Sequence, residues 1–319
     1  GSPLRRGIGF AAFFHGAGFT GSGERMLMSV VAVDATAEGL VRVRASSTEI
    51  GQGTNTVFAQ IAAQAAGLTY EDVDVAATDT ANVPDSGPTV ASRTCTIVGR
   101  LVQDAARALR QLLIDGGLLS PDGDADAVRA AIRRHVATLG PLVTTAQYQT
   151  PPEIQWDEVR YRGDAYGAYS YAVYVAQVRV DLLTYEARVE DFVALQEVGR
   201  VIHPVLAEGQ IEGGVAQGVG WALYEDVAWK DGRMANNRMT DYIIPTAADI
   251  PPIRVYFQAP GDGYRHGAFG AKGIGELPMD GPAPAILNAI RDALGVSIDR
   301  VPATPEVIMA ALQQKAADR

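Results

Sequence analysis

Glu276 is the residue whose neighbours in the sequence point most directly to chemistry. It ends the segment GAFGAKGIGE, residues 267–276, in which glycine recurs every two or three residues. Glycine permits positive φ angles and lets a bulky ligand approach the main chain, whose N–H groups can then bind anionic oxygens. A carboxylate held in such a loop is placed to act as a general base. The segment therefore predicts a ligand-binding loop with Glu276 as its catalytic residue.

Two alternatives exist for this loop. A phosphate-binding loop needs Gly directly before Lys and Ser or Thr directly after it, but Ala271 precedes Lys272 here and Gly273 follows it. A glycine-rich surface turn with a solvated Glu would be the commoner explanation if the segment stood alone. Three further segments make equally unusual demands on the backbone, which favours the ligand-binding interpretation.

The first of these segments is STEIGQGTNT, residues 47–56, where Gln52 lies between Gly51 and Gly53. The residues before it are strand-like and those after it are helix-like, so the pattern predicts a strand-to-helix turn that carries an amide. A side-chain amide offers both donors and an acceptor, which suits the edge of a ring with mixed hydrogen-bonding character.

The second segment is TANVPDSGPTVASRTCTIVG, residues 80–99. Proline and glycine predict a loop in its first half, and small and hydroxyl-bearing residues follow where a helix is expected to begin. The start of a helix with small side chains is a natural site for an anion. Ordinary N-capping by Ser92 or Thr94 is the structural alternative.

The third segment is HPVLAEGQIEGGVAQGVGWALYED, residues 203–226, in which Gln210 and Gln217 stand among small residues. Its helical pattern is interrupted by glycines, each of which costs about 1 kcal/mol relative to Ala in a helix. We therefore expect something to approach this helix closely.

The elements that must position these segments predict an α+β fold with two lobes. The first lobe, residues 1–145, is expected to contain strands at 27–33, 40–45 and 73–77 and helices at 56–66, 95–114 and 125–137. Residues 141–164 are irregular, which predicts the boundary there. The second lobe, residues 146–319, is expected to contain strands at 169–181, 187–195 and 253–257 and helices at 205–224, 283–294 and 304–314.

Composition limits the classes of protein to which the chain can belong. With 319 residues, 47% apolar content and a mean hydropathy of +0.03, the chain can bury one large core or two smaller ones. A net charge of -10 argues against general affinity for nucleic acid or anionic membranes, and no apolar run is long enough to span a bilayer. We therefore expect a globular, cytoplasmic protein.

Cys95 is the only cysteine in the sequence. A single thiol excludes an internal disulfide, and it also excludes a self-contained iron–sulfur cluster, which needs four ligands. If electrons leave this protein, another chain must carry them.

In this order, the four segments resemble those of the molybdopterin-binding subunit of the molybdenum hydroxylases, the xanthine dehydrogenase and aldehyde oxidase family. The resemblance covers nearly the whole chain and corresponds to the C-terminal half of that subunit. Some bacterial members, such as nicotinate dehydrogenase, divide the subunit into two polypeptides, and this chain is similar to such a second half. The resemblance implies two mixed α/β lobes, with the catalytic glutamate loop in the second. In QEVGRVIHP, Glu197 and His203 replace the Asp and Asn of the family pattern.

The resemblance also implies a role for each unusual residue. In the family a glutamate takes a proton from a metal-bound hydroxyl, and Glu276 matches that glutamate, while no protein side chain binds the metal directly. Gln52 and Gln210 match amides that contact the pterin and its metal end. The cofactor-binding residues implied in this way are Gln52, Gly53, Ala91, Ser92, Arg93, Thr94, Cys95, Gln210, Lys272, Gly273 and Gly275.

Three of the matched residues have second interpretations. Lys272 either contacts an anionic part of the cofactor or caps its loop. Cys95 stands where a hydroxyl is common in the family, and a small buried thiol is the other explanation. Phe10 matches an aromatic residue that orients a planar substrate in some members, whereas a core Phe is the commoner role.

The resemblance implies oxidative hydroxylation of an electron-poor carbon, either in an N-heterocycle of purine or pyridine type or in an aldehyde. Water would supply the oxygen, and electrons would pass to partner subunits that carry a 2Fe-2S cluster and FAD. The implied cofactor is molybdenum with molybdopterin, in its simple form or as the cytosine dinucleotide. The implied assembly is a dimer of heteromers that also contains the N-terminal half of the molybdopterin subunit.

Two alternative functions stay open at this point. A reductase of hydroxybenzoyl-CoA type resembles the same family and runs the electrons in the other direction. A non-catalytic scaffold half-domain would bind a partner chain but no metal. The presence of Glu276 together with Gln52 and Gln210 argues against the scaffold.

Overall fold

Two four-stranded sheets, each packed against helices, organise the chain. The computed structural model describes residues 2–259, 261 and 263–318. Its strands are β1 (Leu4–Gly16), β2 (Val30–Ala35), β3 (Val41–Arg44), β4 (Val73–Val75), β5 (Val143–Gln147), β6 (Trp156–Asp157), β7 (Arg162–Gly163), β8 (Tyr169–Asp181), β9 (Ala187–Glu197), β10 (Trp229–Lys230), β11 (Arg233–Met234) and β12 (Ile253–Phe257). Its α-helices are α1 (Gly23–Leu27), α2 (Thr54–Ala66), α3 (Gly99–Asp115), α4 (Ala125–Leu139), α5 (Pro204–Leu223), α6 (Leu277–Asp280), α7 (Pro282–Leu294) and α8 (Pro305–Ala317).

The first sheet has the strand order β4-β3-β2-β5. Strands β3 and β5 are antiparallel to β2, and β4 is parallel to β3. Val31 and Val33 of β2 and Val41 and Val43 of β3 are fully buried, because alternate side chains of a strand point to the same face. They form one core with the apolar sides of α2 and α3. This core holds the starts of both helices, which carry two of the four segments.

The second sheet has the strand order β1-β8-β9-β12, antiparallel except for the β12–β9 pair. Helix α7 lies directly on β1, where the strand offers glycine instead of a side chain. A Cβ at Gly7 would lie 2.2 Å from the carbonyl oxygen of Ala289, and one at Gly9 would lie 2.1 Å from its backbone nitrogen. These two glycines therefore allow the close contact between the helix and the strand.

The predicted α+β class is confirmed. The strands expected at 27–33 and 40–45 pair as the hairpin β2–β3, although β2 begins at Val30, and those expected at 169–181 and 187–195 pair as the hairpin β8–β9. Other elements also differ from the prediction. Residues 143–147 are a strand and not irregular, because they complete the first sheet beside β2. Strand β1 was not predicted, and it pairs with β8 in the second sheet. The lobe boundary after residue 145 stays a prediction, and the N-terminal strand lies with the sheet of the C-terminal half.

The predicted helices are present, and all except α3 start within two residues of the prediction. The helix expected over 95–114 begins with a π-turn, Thr94–Val98, and continues as α3. In the described part of the chain, no helix has the length and apolar character needed to cross a membrane.

Candidate active site

The four segments singled out in the sequence meet at one cavity with a volume of about 370 Å³. A cavity of this size falls in the range of small-molecule and cofactor sites. The turn before α2, the turn before α3, the first half of α5 and the loop before α6 form its wall. The predicted residues that line it are Gln52, Gly53, Ala91, Ser92, Thr94, Cys95, Gln210, Lys272, Gly275 and Glu276.

Glu276 stands directly before α6 and is held by two hydrogen bonds with Ser92. The Ser92 hydroxyl donates to Oε2 of Glu276 at 2.9 Å, and the Glu276 backbone N–H donates to Ser92 Oγ at 3.0 Å. The Ser92 hydroxyl thus binds the glutamate, which is not the N-capping role considered as an alternative. The Glu276 side chain is 52% exposed, and its Oε1 has no hydrogen-bond partner among the described residues. One carboxylate oxygen is fixed and the other can accept a proton.

The turn that carries Ser92 has a backbone conformation that is rare for residues with a side chain. Ala91 and Ser92 have φ angles of 55° and 51°, in the left-handed region that favours glycine. Strain of this kind persists where the surroundings fix it and is concentrated at functional sites. Gly273 packs on this turn, since a Cβ there would lie 2.7 Å from the carbonyl oxygen of Ser92. Gly273 does not line the cavity, and it lets the Glu276 loop close onto the turn.

Arg93 points into the protein. Its guanidinium is fully buried and makes a two-bond pair with Glu24, at 2.8 Å for both bonds. It also donates to Ser29 Oγ at 2.7 Å and to the carbonyl oxygens of Ser86 and Pro88 at 2.7 and 3.2 Å. The side chain is therefore committed to holding the turn, and a cofactor contact by Arg93 would have to come from its backbone.

The π-turn that follows brings two more residues to the cavity. The N–H of Val98 donates to the carbonyl oxygen of Arg93 at 3.3 Å, which closes the wider turn. Such turns are rare and occur often at functional sites. Thr94 and Cys95 line the cavity as a result. Burial raises the pKa of the Cys95 thiol to about 12, so the thiol stays neutral and unreactive near neutral pH.

Gln52 uses most of its amide to close the turn before α2. Its Nε2 donates to the carbonyl oxygen of Thr48 at 2.7 Å and to Thr54 Oγ1 at 2.8 Å. Its Oε1 accepts the N–H of Ile50 at 2.7 Å. An amide oxygen has two lone pairs, so one acceptor position of Gln52 is left for a ligand.

Glu49, which was not predicted, anchors the same turn. Its carboxylate accepts the N–H groups of Gly51, Gly53 and Asn55 at 2.7, 3.0 and 3.1 Å. Burial raises the pKa of Glu49, but these backbone hydrogen bonds outweigh that effect and bring the pKa below its ordinary value. An ionised carboxylate of the protein therefore occupies the start of α2.

Gln210 lies on α5, and its side chain lines the cavity. The side-chain amide makes no hydrogen bond to a described residue. The glycines of α5 explain how the helix reaches this position. A Cβ at Gly214 would lie 2.4 Å from Pro278, and one at Gly218 would lie 2.5 Å from Pro282. The predicted close approach is thus made by α6 and the start of α7. Because α6 directly follows Glu276, these glycines also set the distance between Glu276 and Gln210.

Lys272 makes an ion pair with Glu197, with 2.5 Å between Nζ and Oε2. This contact caps the loop and partly neutralises the lysine, although Lys272 also lines the cavity. Glu197 is one of the two departures from the family pattern, and the other is His203. The Nδ1 atom of His203 accepts the N–H of Leu206 at 3.2 Å and so caps α5. Glu197 and His203 thus each make a local contact, one with the Glu276 loop and one at the start of α5.

Known proteins match this chain along most of its length. Residues 1–251 match the molybdopterin cofactor-binding domain family. The chain belongs to this family. It is 28% identical to the molybdenum-binding subunit of a xanthine dehydrogenase from Escherichia coli, over 95% of this chain and 41% of that protein. It is also 31% identical to the nicotine 6-hydroxylase large subunit of Paenarthrobacter nicotinovorans, over 89% of this chain and 36% of that protein.

The fold agrees with a solved structure of the same kind. The aldehyde oxidoreductase from Desulfovibrio gigas superposes with a TM-score of 0.84 at 27% identity, over 98% of this chain and 33% of that one. The family predicted from the four segments is confirmed. The chain spans less than half the length of these relatives.

Within this family fold, Phe10 lies away from the cavity. Its side chain is 64% exposed on the face of the second sheet that is opposite α7, and it is absent from the cavity wall. Ile8 and Phe14 share this exposed face of β1. Phe10 is thus neither a core residue nor part of the cavity wall. Its contact with substrate stays a prediction.

Several residues at the site were missed. His15 and Asp280 lie next to Glu276, and Arg200 lines the cavity with its guanidinium 5.2 Å from the ring centre of Phe269. No motif marks them, because His15 reaches the site by pairing between distant segments and Asp280 contacts the site through His15. Among the described residues, no group of three or more His, Cys, Asp or Glu side chains could hold a metal ion.

Proposed function

We propose that this chain forms part of a molybdenum-dependent oxidoreductase in which it binds molybdopterin and supplies Glu276 as the catalytic base. The reaction is the oxidative hydroxylation of an electron-poor carbon of an N-heterocycle or an aldehyde, with water as the oxygen source. The observation that carries the proposal is the position of Glu276, which Ser92 fixes at the edge of the cavity that Gln52 and Gln210 line.

The residues present at the cavity fit a pterin cofactor. The amide of Gln210 has no partner among the described residues, and Gln52 keeps one acceptor, so both can meet the mixed donors and acceptors of a pterin edge. At Gly53 a Cβ would lie 2.4 Å from the side chain of Leu206, so glycine keeps this part of the wall open. The guanidinium of Arg200 adds a positive charge that suits an anionic cofactor.

When bound, the molybdenum cofactor supplies the two-electron oxidation and the oxygen transfer. The protein supplies the proton chemistry and the positioning. The free Oε1 of Glu276 is the atom that accepts a proton, while the Ser92 hydroxyl holds the ionised carboxylate in place. Ala91, Ser92 and Thr94 offer the backbone and hydroxyl groups of the strained turn to the cofactor.

We propose that a further stretch of polypeptide completes the site, because the chain spans less than half the length of the relatives that it matches. We place the N-terminal half of the molybdopterin subunit on a partner, together with a 2Fe-2S subunit and an FAD subunit. The assembly is a dimer of heteromers in the cytoplasm, with the cofactor as molybdopterin or its cytosine dinucleotide. The names of two relatives as subunits of larger enzymes support this arrangement.

Metal and pterin analysis of the complex purified from its native host tests the proposal. We expect molybdenum, pterin, iron and flavin in stoichiometric amounts. A clean complex without molybdenum, from cells supplied with molybdate, would contradict the proposal and favour a scaffold.

The substitution Glu276→Gln tests the role of the base. We expect turnover to fall by roughly 10²- to 10⁴-fold, since this is the usual contribution of a general base, while the molybdenum content stays unchanged. Glu208→Gln, on the exposed side of α5, is the matched control and should retain turnover. Full activity of Glu276→Gln would remove the base from the proposal.

A further inference from the structure

His15, near the end of β1, lies between two carboxylates. Its Nδ1 is 2.8 Å from Oδ2 of Asp280, and its Nε2 is 3.4 Å from Oε2 of Glu276. Asp280 is the last residue of α6, one helical turn beyond Glu276. His15 does not line the cavity, so it contacts Glu276 from outside the cavity wall. All three side chains are partly exposed, which connects Glu276 to solvent through the imidazole.

Asp280 determines which ring nitrogen of His15 carries the proton. A carboxylate oxygen at 2.8 Å accepts a hydrogen bond, so Nδ1 is the protonated nitrogen. Nε2 of the neutral ring is then an acceptor that faces Oε2 of Glu276. Two acceptors cannot bond to each other, and the contact becomes favourable when one proton lies between them. The pair of side chains is therefore built to take up one proton.

We infer that His15 receives the proton that Glu276 takes up and releases it to solvent, while Asp280 holds the ring in the accepting orientation. The inference rests on the proposed role of Glu276 as the base. Glu276 gains the proton on Oε1, and the neutral carboxyl group then turns by about 180° around its Cγ–Cδ bond, which brings the new O–H to the side that faces His15. This O–H bond breaks as the Nε2–H bond of His15 forms, and the imidazolium then loses a proton to water. No electrons move in these steps, and the carboxylate and the neutral ring are both restored. His15 is thus a positioning residue that acts through Glu276.

The separation of 3.4 Å is compatible with this role. Catalytic hydrogen bonds are often this long before a ligand binds, and they shorten in the reacting complex. Ser92 donates to the same oxygen, Oε2, and so fixes the oxygen that faces His15. Oε1 stays available to the cavity. Proton uptake and proton release therefore use opposite sides of the carboxyl group, and rotation of its neutral form moves the proton from one side to the other.

His15 contacts the neighbouring elements β8, by strand pairing, and α6, through Asp280. On the neighbouring strand β8, His15 pairs with Ser170, which is uncharged. Tyr174, also on β8, lies near Asp280, and burial raises the pKa of its phenol above the ordinary value. The phenol therefore stays neutral at physiological pH. The ionisable side chains in contact around the ring are Glu276, Asp280 and His15 itself.

The first test requires no turnover. The assembled complex is prepared with ¹⁵N-histidine in this chain alone, and the signals of its four histidines are assigned by single substitutions. We expect the neutral ring of His15 to carry its proton on Nδ1 and to lose this preference in Asp280→Ala. Glu276→Gln is expected to shift the Nε2 signal, because the amide can donate where the carboxylate accepts. Glu208→Gln should leave both signals in place.

An Nε2 signal that is unchanged in Glu276→Gln would overturn the inference. This outcome is independent of the cofactor, because the measurement follows the imidazole alone. A complex without molybdenum would instead contradict the proposed function, and the contact between His15 and Glu276 would still be tested by the same spectra.

The second test uses the molybdenum-loaded complex with xanthine, nicotine and benzaldehyde as probes. His15→Gln keeps a polar side chain of similar size that cannot accept the proton, and we expect kcat to fall roughly 10²-fold with KM unchanged. In His15→Ala, added imidazole is expected to restore turnover in proportion to its free-base concentration. Wild-type turnover in both variants, without dependence on imidazole, would overturn the inference.

Discussion

Glu24 and Glu276 are held by neighbouring residues of one turn, and their surroundings differ sharply. Arg93 pairs with Glu24 inside the protein, whereas Ser92 binds Glu276 at the cavity. Glu24 is 5% exposed and both of its oxygens accept from Arg93, while Phe19 donates a third bond at 3.0 Å. Glu276 is about half exposed and keeps an oxygen without a partner among the described residues.

This difference separates a carboxylate that stabilises the fold from one that can react. A buried charge is tolerated when it is paired and fully hydrogen-bonded. Removing either Glu24 or Arg93 would therefore leave the other as an unpaired buried charge. A general base needs an ionised oxygen within reach of a ligand, and only Glu276 offers one. Of two adjacent residues, Ser92 thus holds the proposed base and Arg93 stabilises the turn that carries them both.

The largest effect is expected from breaking the buried pair. Arg93→Met leaves the Glu24 carboxylate buried without its partner, and we expect the free energy of unfolding to fall by about 3–5 kcal/mol. Glu276→Gln should change it by less than about 0.5 kcal/mol, because this side chain is half exposed. Urea unfolding of the purified complex measures both values.

A double variant serves as the control for this comparison. Arg93→Met combined with Glu24→Leu removes both charges, and we expect it to regain most of the lost stability, as apolar replacements of buried pairs often do. If Arg93→Met were as stable as the wild type, the division between a structural and a reactive carboxylate would be wrong.

A smaller effect, on turnover, is expected from Ser92→Ala. The variant removes the hydroxyl that binds Glu276 and leaves the Arg93 pair intact. A hydrogen bond to a charged group contributes about 1.5–3 kcal/mol, so we expect kcat to fall roughly tenfold to a hundredfold. The free energy of unfolding should change by about 1 kcal/mol or less. Ser120→Ala, in the loop before α4, is the control. Equal turnover in the two variants would argue against a role for the Ser92 hydroxyl in holding Glu276.

The smallest effect concerns Cys95, a half-buried residue of the cavity wall without a charged partner. Its thiol has a pKa of about 12 in the folded protein, whereas the pKa of a cysteine in an unfolded chain is about 8.5. The unfolded chain therefore loses the proton first, and the contribution of the neutral thiol to stability decreases as the pH rises from about 8.5 toward 12. Cys95→Ala should flatten this decline in urea titrations between about pH 9 and 11. Parallel pH curves for the two proteins would contradict the assignment.

The sequence allowed the cavity to be predicted because its signals are local. Gly51 and Gly53 have φ angles of 105° and 91°, which is the conformation that glycine makes accessible at a sharp turn. The amide between them and the carboxylate at Glu276 were therefore recognisable as side chains presented by unusual backbone. The alternating apolar residues of the two hairpins predicted their strands for a similar reason.

Pairings between distant segments could not be predicted in this way. Glu24 and Arg93 are 69 residues apart, and His15 and Asp280 are 265 apart. A local pattern does not tell which way a side chain points, so Arg93 was grouped with Ser92 although it faces inward. Strand β1 was missed because Ile8 and Phe10 alternate with glycines and lie on the exposed face.

The π-turn Thr94–Val98 makes the site sensitive to the register of the helix that follows it. A π-turn holds one residue more than the equivalent α-helical turn, and each residue of an α-helix rotates by about 100°. Deletion of a single residue here would restore a regular helix and rotate Thr94 and Cys95 by about 100° relative to α3. The side chains would leave the cavity while every residue type around it stayed the same, so a one-residue gap in this turn would separate relatives that keep the site from relatives that keep only the fold.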